Sequence, residues 1–133
     1  MDEGRDGMVT VLHTTLPAEP LSARQARRFV TSALSELGLP ELTDTALILV
    51  SELVTNAVLH ARSEVTLTVV RTSGGLRMEV GDQSSLAPSV RRYSAEAATG
   101  RGLVLVESLA DAWGSDIGPS GKTVWFELAP AVA

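Results

Sequence analysis

The amino-acid sequence predicts an α+β fold, a two-layer sandwich in which helices pack on one face of a mixed, mostly antiparallel sheet. Three observations predict it. Five short stretches, at residues 9–16, 64–72, 76–81, 112–117 and 122–128, read as strands bounded by turn residues. The helical stretches between them are not in strict alternation with the strands, which disfavours a doubly wound parallel sheet. Two of the strand pairs are joined by short Gly- and Ser-rich links, as hairpins require.

Each element follows from its residues. Residues 1–7 are charged and Gly-rich and read as a loose, flexible tail ahead of a single domain over 8–130. The first strand closes at Pro17. Leu21-Ser22-Ala23-Arg24 then opens a helix in which Ala26, Phe29, Val30, Ala33, Leu34 and Leu37 recur at helical spacing, and Gly38-Leu39-Pro40 stops it. Thr43 or Asp44 is the expected cap of a second helix, which fades near Ala61-Arg62. Ser73-Gly74-Gly75 supplies the positive φ angles of a tight hairpin. From Asp82 to Thr99 the periodicity collapses into a connection too long for a simple turn, the kind of loop that carries function. Gly100-Arg101-Gly102 leads into an apolar helix over 103–110, and a last hairpin turns at Gly118-Pro119-Ser120-Gly121. No internal repeat is present.

Composition narrows the class of protein. The length of 133 residues suits one domain, and the 44% hydrophobic fraction is that of a folded chain. The absence of Cys excludes disulfides and thiolate metal sites. With neither a basic-then-apolar N-terminus nor a long apolar run, secretion and membrane spanning are disfavoured and a cytoplasmic location is expected. The net charge of −5 disfavours nucleic acid as a direct partner; the small basic patches at Arg24 to Arg28 and Arg91-Arg92 more often solvate a surface.

The segment with most chemical content is the second helix, where Glu52, Asn56 and His60 are set four residues apart in an apolar run. That spacing stacks them on one face. If the face is buried, each group needs a polar partner that Leu, Val and Ala cannot supply, and a bound ligand is one such partner. If it is solvated, this is the polar stripe of an ordinary amphipathic helix. Gly121-Lys122-Thr123 mimics the end of a phosphate-binding P-loop, but the first glycine would fall on Asp116 and a strand follows where that motif demands a helix. Gly100-Arg101-Gly102 lacks the third glycine of a dinucleotide fingerprint, Leu105 standing there. A glycine pair at a helix start does suit an anion, because exposed N–H groups and the helix dipole converge there. Asp82 ends a strand in an acidic group that can accept from an exocyclic amine or, as is commoner, bond its own backbone in a turn.

In this order the segments resemble the nucleotide-binding domain of the GHKL (histidine kinase-like) ATPase superfamily, with its Bergerat ATP-binding fold, and within it the stand-alone anti-sigma-factor serine/threonine kinases. Residues 52–61 look like the N box, Val80-Gly81-Asp82 and its loop like the first glycine box, and residues 100–106 like the second. Trp113-Gly114 and residues 121–126 look like the closing hairpin, so the likeness spans almost the whole chain. The resemblance implies ATP and Mg²⁺ as cofactors. It makes Asn56 the Mg²⁺ ligand through its amide oxygen, a donor that suits a hard cation. Glu52 would be the general base toward a substrate serine. Asp82 would accept from the adenine amine, Gly100, Arg101 and Gly102 would meet the phosphates beneath a closing lid, and Thr123 and His60 would complete the nucleotide site. One departure stands out: the family's Asp-x-Gly-x-Gly is here Asp82-Gln83-Ser84-Ser85, so either the Ser84 hydroxyl takes the place of a glycine's close approach or the nucleotide binds weakly, and Pro88 stiffens the lid.

The partners implied are a sigma factor and an anti-anti-sigma antagonist protein, with a homodimer through the first strand and helix. An acidic partner would suit Arg24, Arg27 and Arg28. An autophosphorylating sensor fragment is disfavoured, since His13 falls in a strand and no helical hairpin with a phospho-acceptor histidine precedes the boxes. The competing readings are a partner-sequestering module with weak or lost ATP binding, and a structural domain without a ligand.

Overall fold

In the computed structural model, which describes residues 10–84 and 101–130, the chain runs β1 (Thr10–Leu16), α1 (Ser22–Glu36), α2 (Thr43–Asn56), β2 (Val65–Thr72), β3 (Gly75–Asp82), α3 (Arg101–Leu109), β4 (Ala112–Gly118) and β5 (Gly121–Leu128). A 3₁₀ turn, Pro40–Leu42, leads into α2, and a π-helical turn, Ala57–Ala61, leaves it. The strands form a five-stranded sheet of order β1-β2-β3-β5-β4. Every pairing among the described residues is antiparallel, so the expected α+β sandwich is present without the parallel component of a mixed sheet. Residues 1–7, expected as a tail, the basic pair Arg91-Arg92, Pro88, Gly100 and the expected connection from Ser85 onward lie outside the described residues.

Period-two burial builds one side of the core. Val65, Leu67 and Val69 of β2, Leu76, Met78 and Val80 of β3, and Val124, Phe126 and Leu128 of β5 all point to the helix layer and are buried. Helical spacing builds the other, with Ala26, Val30, Ala33 and Leu34 of α1 and Ala46, Leu49, Val50, Leu53 and Val54 of α2 closing over the sheet. Each fully buried Leu, Val or Phe contributes roughly 1.5–3 kcal/mol against leaving it in water, so this shared surface fixes the orientation of both layers.

The ends of the helices are set locally. Gly38 takes φ +76°, and the N–H groups of Gly38 and Leu39 donate to the carbonyls of Ser35 and Leu34, ending α1 in a Schellman turn with Leu39 packed into the core beside Leu34. Arg71 from β2 donates to the Leu37 carbonyl, placing a cation at the negative end of α1. Neither Thr43 nor Asp44 caps α2 as expected: Leu42 is the capping residue and makes no side-chain bond, because the 3₁₀ turn already feeds the chain into the helix. Asp44 acts instead as an acidic group in the first turn, where the dipole favours it.

The sequence reading that no long apolar run exists needs correction. Pro40–Ala61 forms a continuous helical stretch of 22 residues, long and apolar enough by length and composition to cross a membrane. Its apolarity has an internal use, since Leu49, Val50, Leu53, Val54 and Ala57 are the residues with which it covers the sheet.

Candidate functional site

At the end of α2 the chain does something unusual with a polar side chain. Asn56 is 3% exposed, and among the described residues neither its amide oxygen nor its amide nitrogen has a hydrogen-bond partner. A buried carboxamide without partners costs on the order of 1–3 kcal/mol, so its retention on an apolar helix calls for a use. Glu52, one turn earlier, is half-buried. Immediately after Asn56 the helix widens: the Arg62 N–H reaches back to the Ala57 carbonyl at 3.2 Å, a five-residue return, and Arg62 itself takes a left-handed φ of 54°. His60, also half-buried, therefore stands within a π turn and no longer follows the α-helical period that places it above Asn56.

The π turn packs against β3, the strand that ends in Asp82. The Asp82 side chain has the same strand parity as Leu76, Met78 and Val80 and so faces the helix layer. Directly across, Lys122 is its register partner on β5 and shares parity with Val124, Phe126 and Leu128. Lys122 Nζ donates to both carboxylate oxygens, at 3.0 Å to Oδ1 and 2.8 Å to Oδ2. The backbone N–H of Ser84 donates to Oδ1 at 2.8 Å, closing an Asx turn. Thus the turn-forming use of Asp82 is realised, and an enclosed ion pair is added to it. Gly121 makes the approach possible: a Cβ there would stand 2.3 Å from the Asp82 carbonyl oxygen.

Thr123 is one residue on and therefore on the other face. It lies with Thr66 beside Gly81, and these three, with Asp82 and Lys122, help line a polar cavity of about 260 Å³ where β3 ends and β5 begins. The structure thus brings Asp82 together with Lys122 and Ser84, keeps Glu52 and Asn56 one turn apart on α2, and gives Thr123 the opposite strand parity from Lys122 while Thr123, Asp82 and Lys122 share the lining of that cavity. Gly100 lies outside the described residues, while Arg101 and Gly102 form the first turn of α3, which begins two residues ahead of the expected Leu103.

Sequence reasoning missed Lys122. Its burial had a signal: in β5 the apolar parity of Val124, Phe126 and Leu128 runs back to Lys122, and in β3 that of Leu76, Met78 and Val80 runs on to Asp82. Two opposite charges at the apolar parity of neighbouring strands need each other. No group of three or more metal-ligating His, Cys, Asp or Glu side chains occurs among the described residues.

An antiparallel sheet covered on one face by helices, with an orphaned carboxamide at one helix end and a carboxylate at the end of a central strand, defines a histidine kinase-like sandwich. The chain belongs to the histidine kinase-like ATPase domain family, whose model matches residues 16–128. The solved structure of the RsbU and RsbW domains of Rv1364c from Mycobacterium tuberculosis shares the fold, with a TM-score of 0.71 over 93% of this chain at 23% identity. This chain spans 34% of that one. No curated protein matches the sequence.

Proposed function

We infer that the protein is an ATP- and Mg²⁺-dependent regulatory serine/threonine kinase of the anti-sigma type, acting in the cytoplasm on an antagonist protein and restraining a sigma factor. The orphaned amide of Asn56 is the observation that carries this reading. Its oxygen is a hard neutral donor held dry, which suits a small divalent cation whose other ligands are phosphate oxygens and water. Mg²⁺, when bound, neutralises phosphate charge.

The remaining roles belong to the chain. Glu52 accepts the proton of the substrate serine hydroxyl as that oxygen bonds to the γ-phosphorus and the bond to the β-phosphate oxygen breaks, leaving ADP and phosphoserine. Asp82 receives the adenine amine, and Gly100, Arg101 and Gly102 carry the phosphates at the start of α3, where backbone N–H groups and the helix dipole favour anions. The RsbW domain named in the Rv1364c structure supports the anti-sigma assignment as an analogy of fold. A homodimer through β1 and α1 belongs to the same reading.

A second reading, a partner-sequestering module with weak ATP binding, draws on the Asp82 carboxylate, which already accepts from Lys122 and Ser84. Titration calorimetry of the protein with ATP and Mg²⁺ separates nucleotide binders from non-binders. Saturable binding weakened at least tenfold in Asn56→Ala and Asp82→Ala is expected; no heat at millimolar ATP leaves only the sequestering role. Turnover is tested with Glu52→Ala, which should abolish phosphate transfer to the antagonist while ATP binding persists. Transfer that survives this change removes Glu52 from the mechanism.

A further inference from the structure

The Asp82–Lys122 pair has the form of a reading head. Both side chains are almost fully enclosed, at 6% and 5% exposure. A carboxylate offers about four acceptor positions and an ammonium three donors. Oδ1 accepts from Lys122 and from the Ser84 N–H, whereas Oδ2 accepts from Lys122 alone among the described residues. Two bonds to Asp82 likewise leave one Nζ hydrogen undirected among the described residues. Side by side, then, stand one acceptor and one donor. As a purely structural device such a pair is a poor choice, because apolar residues continuing the Val80 and Val124 parity would hold the two strands at least as well.

We propose that Lys122 is a base-specificity residue which, with Asp82, reads two adjacent atoms on the edge of an adenine: Asp82 Oδ2 accepts from the exocyclic amine and Lys122 Nζ donates to ring nitrogen N1. The proposal rests on the nucleotide-binding reading above and assigns a residue to it. Amine and N1 are neighbours on adenine with a donor-then-acceptor order that matches the acceptor-then-donor order of the pair. Lys122 also neutralises Asp82, so the uncharged base meets an edge without net charge. Where Asp82-Gln83-Ser84-Ser85 lacks glycines for close backbone approach, a long side chain from β5 supplies the second contact.

The test compares ATP with 1-deaza-ATP, in which N1 is replaced by C–H, by calorimetry on the full chain with Mg²⁺. Loss of a bond to a charged donor should weaken the wild type for 1-deaza-ATP about ten- to a hundredfold. Lys122→Met should bind the two with equal affinity, and the doubly neutral Asp82→Asn/Lys122→Met serves the same comparison if the single change unfolds the protein. Equal affinities in the wild type overturn the role of Lys122 and leave the nucleotide site standing. Discrimination that persists undiminished in the Lys122 variants also overturns it. If no nucleotide binds the wild type at all, both the reading and the proposal fall together.

Discussion

On the open face of the sheet the Arg77 guanidinium lies 4.2 Å from the centre of the Trp125 ring and bonds Glu79 at 2.9 Å and Glu127 at 3.4 Å. On the covered face Lys122 bonds Asp82 at 2.8 Å and 3.0 Å, with Asn56 orphaned at the end of the helix above the sheet. The two clusters use similar groups on the same two strands, β3 and β5. They differ in solvent: the Arg77, Glu79 and Glu127 side chains are 26%, 34% and 44% exposed, the Lys122 and Asp82 side chains 5% and 6%. Water satisfies whatever the open cluster leaves unpaired, so it needs no ligand. In the covered cluster the two amide atoms of Asn56 are enclosed without a partner among the described residues, a cost that a bound molecule would relieve.

The largest expected effect breaks the covered cluster. Lys122→Met leaves Asp82 buried without its cation, and removing one partner of a buried pair costs about 3–5 kcal/mol. Urea unfolding should show that loss, and adding Asp82→Leu should recover most of it, because two apolar side chains suit the parity they occupy. If Lys122→Met costs less than about 1 kcal/mol, the pair is effectively solvated and the contrast between the two faces disappears.

Replacing Asn56 sharpens the comparison in the opposite direction. Asn56→Leu removes two unsatisfied polar atoms from an apolar setting at similar volume, so stability should stay level or rise by about 1 kcal/mol. ATP binding should be lost. A variant that is both more stable and unable to bind identifies a group kept for function against the interests of the fold. A loss of more than about 1 kcal/mol would reveal an internal partner for the amide.

These groups also show what the sequence made legible. Both hairpins, the apolar faces of α1 and α2 and the stop at Gly38 follow from periodicity and turn chemistry, and they place Asn56 and Asp82 near their observed settings. The π turn does not follow, since its residues, Ala57 to Ala61, read as a plain continuation of the helix and the widening depends on how the chain packs onto β3. Thr123 and Lys122 are adjacent in a motif with a familiar outline, and motif reading favoured the hydroxyl. Strand register decides otherwise: parity with Phe126 sends Lys122 toward the helix layer and Asp82, and Thr123 to the far side with Thr66. A charged residue in apolar parity is therefore more informative than its place in a short motif.

The smallest effect belongs to the open face. Arg77→Met should cost no more than about 1 kcal/mol, because exposed ion pairs are worth little and a thioether chain can still lie on Trp125. Raising the salt concentration should reduce even that difference, since the pairs it removes are open to ions. The same salt should leave the cost of Lys122→Met nearly unchanged, because counter-ions do not enter an enclosed pair. Equal salt sensitivity in the two variants would mean that solvent reaches both faces alike. Asp82 would then be a wetted turn residue, and its missing hydrogen bonds would be made by water instead of a base.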